Sequence, residues 1–149
     1  MANRTLDLRT AFVAPFRRLT VETIYQAIRE VVEENEEFIA DLNREQLHAG
    51  LLDDGRPITP DYTDVTVTLK DAKGQPSDRV TLKDKGDFYG SIYTQVFADS
   101  FLIDATDPKT AELMAKYSDR IVGLTTESTA RLVAFFRPQI IHKLQLLIR

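Results

Sequence analysis

The sequence predicts an α+β protein: a long N-terminal helix packed on a small antiparallel sheet, then a short helix and a long kinked C-terminal helix. Three observations predict it. Apolar residues recur at helical spacing from Val21 to Leu47. Two β-prone runs, Ser91 to Phe97 and Phe101 to Ala105, are separated only by Ala98, Asp99 and Ser100, a hairpin spacing. An apolar segment from Leu132 to Ile148 is interrupted by Pro138, which removes a helical hydrogen bond. With 149 residues, 43% hydrophobic and 28% charged, one ordinary globular domain is expected. It divides into an arm over 1–19, a core over 20–124 and a helical extension over 125–149.

Composition excludes several functions. A net charge of −4 and a pI near 5.2 argue against a general nucleic-acid binder, which needs a basic face. Cysteine is absent, so disulfides and thiolate metal sites are excluded. His48 and His142, the only histidines, lie far apart in sequence, and a zinc site needs two to four nitrogen or sulfur ligands, so zinc is not expected. Arg4, Asp7 and Arg9 interrupt any apolar core of a signal peptide. No apolar run reaches the roughly 18 residues of a membrane span, so a soluble protein made in the cytoplasm is expected.

The arm mixes Arg4, Arg9, Arg17 and Arg18 with Leu6, Leu8, Phe12, Val13 and Phe16, and Pro15 breaks any continuous helix. It either packs on its own domain or docks on a neighbouring subunit, since its apolar residues need cover. Thr20 is a good N-cap with Glu22 in the first turn, and Gly50 suits the C′ position. One helix between them would be on the order of 40 Å long. Its outer face carries Glu30, Glu33, Glu34, Glu36, Glu37 and Asp41 with no base between them. Either it is a solvated face or it lines a channel in which like charge keeps DNA from sticking.

Residues 51–64 form a loop punctuated by Gly55, Pro57 and Pro60, with Asp53-Asp54-Gly55 as a turn rather than a calcium loop. Val65-Thr66-Val67-Thr68-Leu69 alternates with the period of a half-buried strand. Val80 to Leu82 reads as a short strand or extended lead-in, and Gly86 as a turn needing unusual backbone freedom. In the second hairpin run Phe101, Ile103 and Ala105 share a face, which should pack on the first helix. Asp107-Pro108 starts a short helix through Ala111, Leu113, Met114 and Tyr117. The last helix starts at Thr125 or Thr126, and its apolar residues surround much of its circumference. Such a helix belongs in a deep core or at an oligomer contact, and the contact is favoured.

No catalytic constellation is present. Pro60-Asp61 and Asp71-Ala72-Lys73 echo a nuclease signature, but an extended run between the acids would hold them roughly 33 Å apart. Asp84 and Asp87 flank Lys85-Gly86 as turn residues. Phosphate loops, dinucleotide fingerprints and nucleophile elbows are missing. No enzyme, cofactor or metal is expected.

Leu82-Lys83-Asp84-Lys85-Gly86-Asp87-Phe88-Tyr89-Gly90-Ser91-Ile92 carries the one specific likeness. It resembles the neck or tail-completion proteins of tailed bacteriophages, also called virion-morphogenesis proteins. Leu82, Gly86, Phe88, Ser91 and Ile92 match that family's motif, while Lys85 stands where a threonine is usual. The order of elements from about Val21 to Leu124 is similar too, with the arm and last helix as additions. The resemblance implies a non-enzymatic connector subunit at the neck or tail junction of the virion. It would form a homo-oligomeric ring, meet portal or adaptor and tail proteins, and pass DNA as non-specific cargo through its lumen.

On that reading Phe12, Phe16, Phe135, Phe136, Ile140, Ile141 and Leu144 are candidate interface residues. Glu30, Glu33, Glu34 and Glu37 are candidate channel-facing acids. The alternatives are an assembly factor or interaction module that never enters the particle, and an enzyme or nucleic-acid binder with an unrecognised site.

Overall fold

The computed structural model describes residue 7 and residues 9–149, apart from the Phe12 side chain. Helix α1 (Val21–Glu34) begins in a full capping box: the Thr20 hydroxyl accepts from the Thr23 N–H at 3.1 Å, and Thr23 accepts from the Thr20 N–H at 2.8 Å. Ala27, Val31 and Val32 form its buried stripe.

The single long helix expected up to Gly50 is broken at Asn35, where φ is −127° and α2 (Glu36–His48) begins afresh. The cause is local competition. The Asn35 side-chain amide donates to the Val31 carbonyl at 2.7 Å, taking the acceptor that a continuous helix would give to the Asn35 N–H. The same side chain also donates to Gln139 Oε1 at 2.9 Å. The helical spacing therefore runs on through the sequence while the axis does not.

Gly50 has positive φ at the end of α2, as its place after the last periodic residue predicts. The loop then turns at Asp54-Gly55, with the Asp54 carboxylate accepting from the Arg56 N–H at 3.0 Å. The alternating run Val65 to Leu69 is helix, not strand: α3 spans Asp64–Ala72. Thr63 caps it by accepting from the Thr66 N–H at 3.3 Å, and Asp64 sits in its first turn. Five alternating residues are too few to separate the two periods, and the cap decides. Val65 and Leu69 lie one turn apart on the outer side, 71% and 56% exposed, while Lys70 is buried. Asp61 and Asp71 are thus joined by a mostly helical segment, about 15 Å at helical rise rather than 33 Å. Asp71 takes a hydrogen bond from the Ser77 hydroxyl.

Gly86, at φ 92°, leads into the one-turn helix α4 (Asp87–Ser91). Strand β1 (Ile92–Val96) follows directly and pairs antiparallel with β2 (Phe101–Ala105), Thr94 opposite Ile103. The turn closes through Phe97 N–H to Ser100 O at 2.8 Å. As expected, Phe101, Ile103 and Ala105 face inward and the sheet packs on the first two helices. Residues Val80 to Leu82 are irregular chain. The short helix α5 (Thr110–Lys116) begins two residues beyond Pro108, with Asp107 accepting from the Lys109 N–H at 2.8 Å.

A 3-10 turn over Asp119–Ile121 precedes α6 (Thr126–Leu147), capped by Thr125, which accepts from the Ser128 N–H at 3.1 Å. Helix α6 is kinked and continues through Pro138, packing on α1 and α2. The core centres on Val31, Ile39, Leu42, Leu47 and Ile121, each 1% exposed or less. Among the described residues, no helix is long and apolar enough to cross a membrane.

Candidate functional site

Helix α6 and the arm carry the surface on which a function can act. Phe136 is a correction: expected at an interface, it is 3% exposed and belongs to the core, because α1 and α2 both pack on this side of α6. Its neighbour Phe135 lies further out on the same aromatic cluster: it is 44% exposed yet stacks on Phe38 with centroids 4.1 Å apart, and Phe136 lies 6.2 Å from that same ring. Ile140 and Leu144 are half-buried, and Ile141 is exposed.

In the arm, Arg9–Val13 is a π-helical turn and Ala14–Arg18 a 3-10 turn. No residue of the 3-10 turn is buried, and Val13 and Phe16 are more than half exposed. Arg18 ties the arm's end to the end of α6, donating to the Arg149 carbonyl at 2.8 Å and to that of Leu147. The Phe12 side chain and residues 1–6 and 8 lie outside the described residues.

The acidic face is less bare than the sequence implied, because bases arrive from distant segments. Lys143 of α6 meets Glu34 at 2.8 Å and Glu30 at 3.2 Å, and Arg44 pairs with Glu37 and Asp41. The hydrogen bond from Lys143, aided by Gln26, holds the Glu30 carboxyl below its usual range. Glu34 and Glu30 in turn raise the Lys143 ammonium. Glu33 is exposed and without an ion-pair partner among the described residues.

The five motif residues are brought together as a structural corner. Leu82 takes positive φ (59°), Gly86 caps α4, Phe88 and Ile92 are buried, and the Ser91 hydroxyl donates to Phe88 O at 2.9 Å. Tyr62 braces this corner by accepting from the N–H groups of Thr81 and Leu82 at 2.9 and 3.3 Å. Burial raises its phenol, but hydrogen bonds from Thr81 and Leu82 and the nearby Lys70 leave it lowered overall. Tyr89 donates to Thr81 O at 2.6 Å, and burial pushes its own phenol up. Among the described residues no group of three or more His, Asp or Glu side chains converges as a metal site requires.

Sequence reasoning missed a pair of buried amides. Asn43 on α2 is 0% exposed; it donates to Ile121 O at 3.1 Å and accepts from the Gly123 N–H at 2.9 Å. Gln46 donates to Gly123 O at 3.1 Å and accepts from the Thr125 N–H at 2.8 Å. Together they clamp the link that aims α6. Gly123 fits there at φ 130°, and a Cβ would come within 3.0 Å of Asp53. The signal was available: Asn43 and Gln46 follow Ile39 and Leu42 by four residues, so they share the apolar face.

Two open apolar grooves flank the sheet and meet at Phe101, Leu132 and Val133. One, about 590 Å³, lies between α1, the hairpin turn and the middle of α6, with Arg29, Asp99 and Arg137 among its lining residues. Arg29 is fixed there by Ala98 O at 2.6 Å and Glu22 at 2.9 Å. The other, about 790 Å³, lies between β2, α5 and the start of α6, with Asp53, Asp104 and Asp119 on its edge. No family model, curated protein or solved structure matches the chain.

Proposed function

We propose that this chain is a structural, non-enzymatic subunit of a tailed-phage head-to-tail connector, assembled as a homo-oligomeric ring around the DNA channel. Portal or adaptor proteins would lie on one side and tail proteins on the other, placing it at the neck of the virion. The observation that carries this reading is uncovered apolar surface on two separate segments: Val13 and Phe16 on the arm, and Val133, Phe135, Ile141, Leu146 and Leu147 on α6, all 40% exposed or more. A single copy leaves these side chains about half exposed, and so many large apolar groups uncovered on one helix and one arm favour an interface. Two different surfaces on one subunit suit a closed heterologous ring. The motif likeness supplies the phage setting. Glu33 and the exposed edges of Glu30, Glu34 and Glu37 would form the lumen side, where negative charge repels the DNA backbone.

Sedimentation and negative-stain imaging of the purified chain test the ring. The expected result is one closed assembly; a monomer at tens of micromolar would overturn it. Quantitative peptide mass spectrometry on particles of the encoding phage tests the location. Ring-like stoichiometry against the portal is expected, and absence from intact particles would leave an assembly factor instead.

A further inference from the structure

The two grooves differ in charge, and that difference chooses an occupant. The groove between β2, α5 and the start of α6 has apolar walls, with Leu102 47% and Val133 42% exposed, and only acids, Asp53, Asp104 and Asp119, among its charged lining residues. The arm is its chemical complement. Val13 and Phe16 are more than half exposed, and Arg9, Arg17 and Arg18 beside them outnumber the arm's one acid, Asp7. The other groove, where Arg29 and Arg137 outnumber the single acid Asp99, matches such a segment less well.

We propose that the arm of one copy lies in the acid-edged groove of a neighbouring copy, Phe16 entering among Leu102, Leu124 and Val133, with Arg17 facing Asp104 and Asp119. This rests on the ring reading above and specifies its contact. A second copy is favoured over the arm's own groove by reach. Arg18 is anchored at the carbonyls of Leu147 and Arg149, whereas the groove begins near Leu132, about 22 Å back along α6 at helical rise. The turns of Arg9–Arg18 span only about 15–20 Å. Folding back would require them to unwind. Docking on a neighbour would not, and each subunit would then offer one arm and one groove, the arrangement that closes a ring.

The absence of cysteine from the sequence makes the test clean. Phe16→Cys is mixed with Leu102→Cys, Leu124→Cys or Val133→Cys, and the full-length chains are oxidised mildly and run on a denaturing gel. The proposal expects disulfide dimers from at least one mixture, above the level of either variant alone. The matching double variant should give a ladder that collapses with reductant. Internally bridged monomer from the double variant would put the arm in its own groove and overturn the proposal. Rings that assemble normally but cross-link in none of these pairs would overturn it while leaving the connector reading intact. No assembly at all would sink both. A charge exchange gives a second readout: Arg17→Glu should weaken assembly about tenfold, and Asp119→Arg should restore it in the same chain. Equal assembly by all three chains would contradict the docking.

Discussion

The two halves of α6 are similarly apolar yet do different work. The first half buries Ser128, Leu132 and Phe136 while leaving Val133 and Phe135 exposed; the second buries no residue, with Ile140 and Leu144 half-covered and Ile141, Leu146 and Leu147 exposed. What differs is how each half is held. Asn43 and Gln46 fix the chain just upstream of the first half with four hydrogen bonds from the buried face of α2. The second half is held across a wetter surface, by Lys143 to Glu30 and Glu34 and by Arg18 at its end. Apolar content alone does not place a helix in a core; buried polar clamps aim one part of it there and leave the rest for a partner.

Breaking the core half should have the largest effect. Phe136→Ala removes a ring that is 3% exposed and should cost about 3–5 kcal/mol in chemical denaturation. A loss under about 1 kcal/mol would put the residue back at an interface. Next comes the clamp: Asn43→Leu leaves the Gly123 N–H and Ile121 carbonyl without their partner and should cost about 1–3 kcal/mol.

The outer half responds to pH. Glu30 is lowered by its contact with Lys143, so its contribution is present above the ordinary carboxylate range and lost as pH falls through its folded value. Lys143 is raised, so its contribution is lost only as pH climbs through its own folded value. The melting temperatures of wild type and Lys143→Met should therefore differ near neutrality and converge on acidification. A constant gap would mean that the pair contributes nothing. Smallest in stability is Ile141→Ser on the exposed side, within about 0.5 kcal/mol of wild type, while assembly falls.

Much of this fold was legible because local chemistry and tertiary packing agree. Thr20 caps the helix it was expected to cap, the last helix starts at the Thr125-Thr126 pair, Gly86 takes the backbone only glycine adopts cheaply, and the hairpin forms between the two β-prone runs. The reading failed where two local signals compete. At Val65 to Leu69 the Thr63 cap outweighs β-branched alternation, and at Asn35 a side-chain amide outbids the backbone for one carbonyl. For the interface, pattern alone could name α6 but not its face. Phe135 and Phe136 are adjacent and identical and both meet Phe38, yet tertiary packing buries the second and leaves the first 44% exposed, which the sequence pattern does not distinguish.

The pairing of Lys143 with Glu34 also fixes a timetable. These residues stand 109 apart in the chain, and closing a loop of that length costs about 4 kcal/mol of chain entropy before any contact repays it. A ribosome adding about 5–20 residues per second completes α1 roughly 5–20 seconds before α6 is made. Through that interval Ile28 and Val32 have no helix to cover them, and the newborn chain presents a bare apolar stripe. Helix α6, completed more than a hundred residues after Val32, is the one that closes it, so α1 is the stretch where a chaperone would have something apolar to hold.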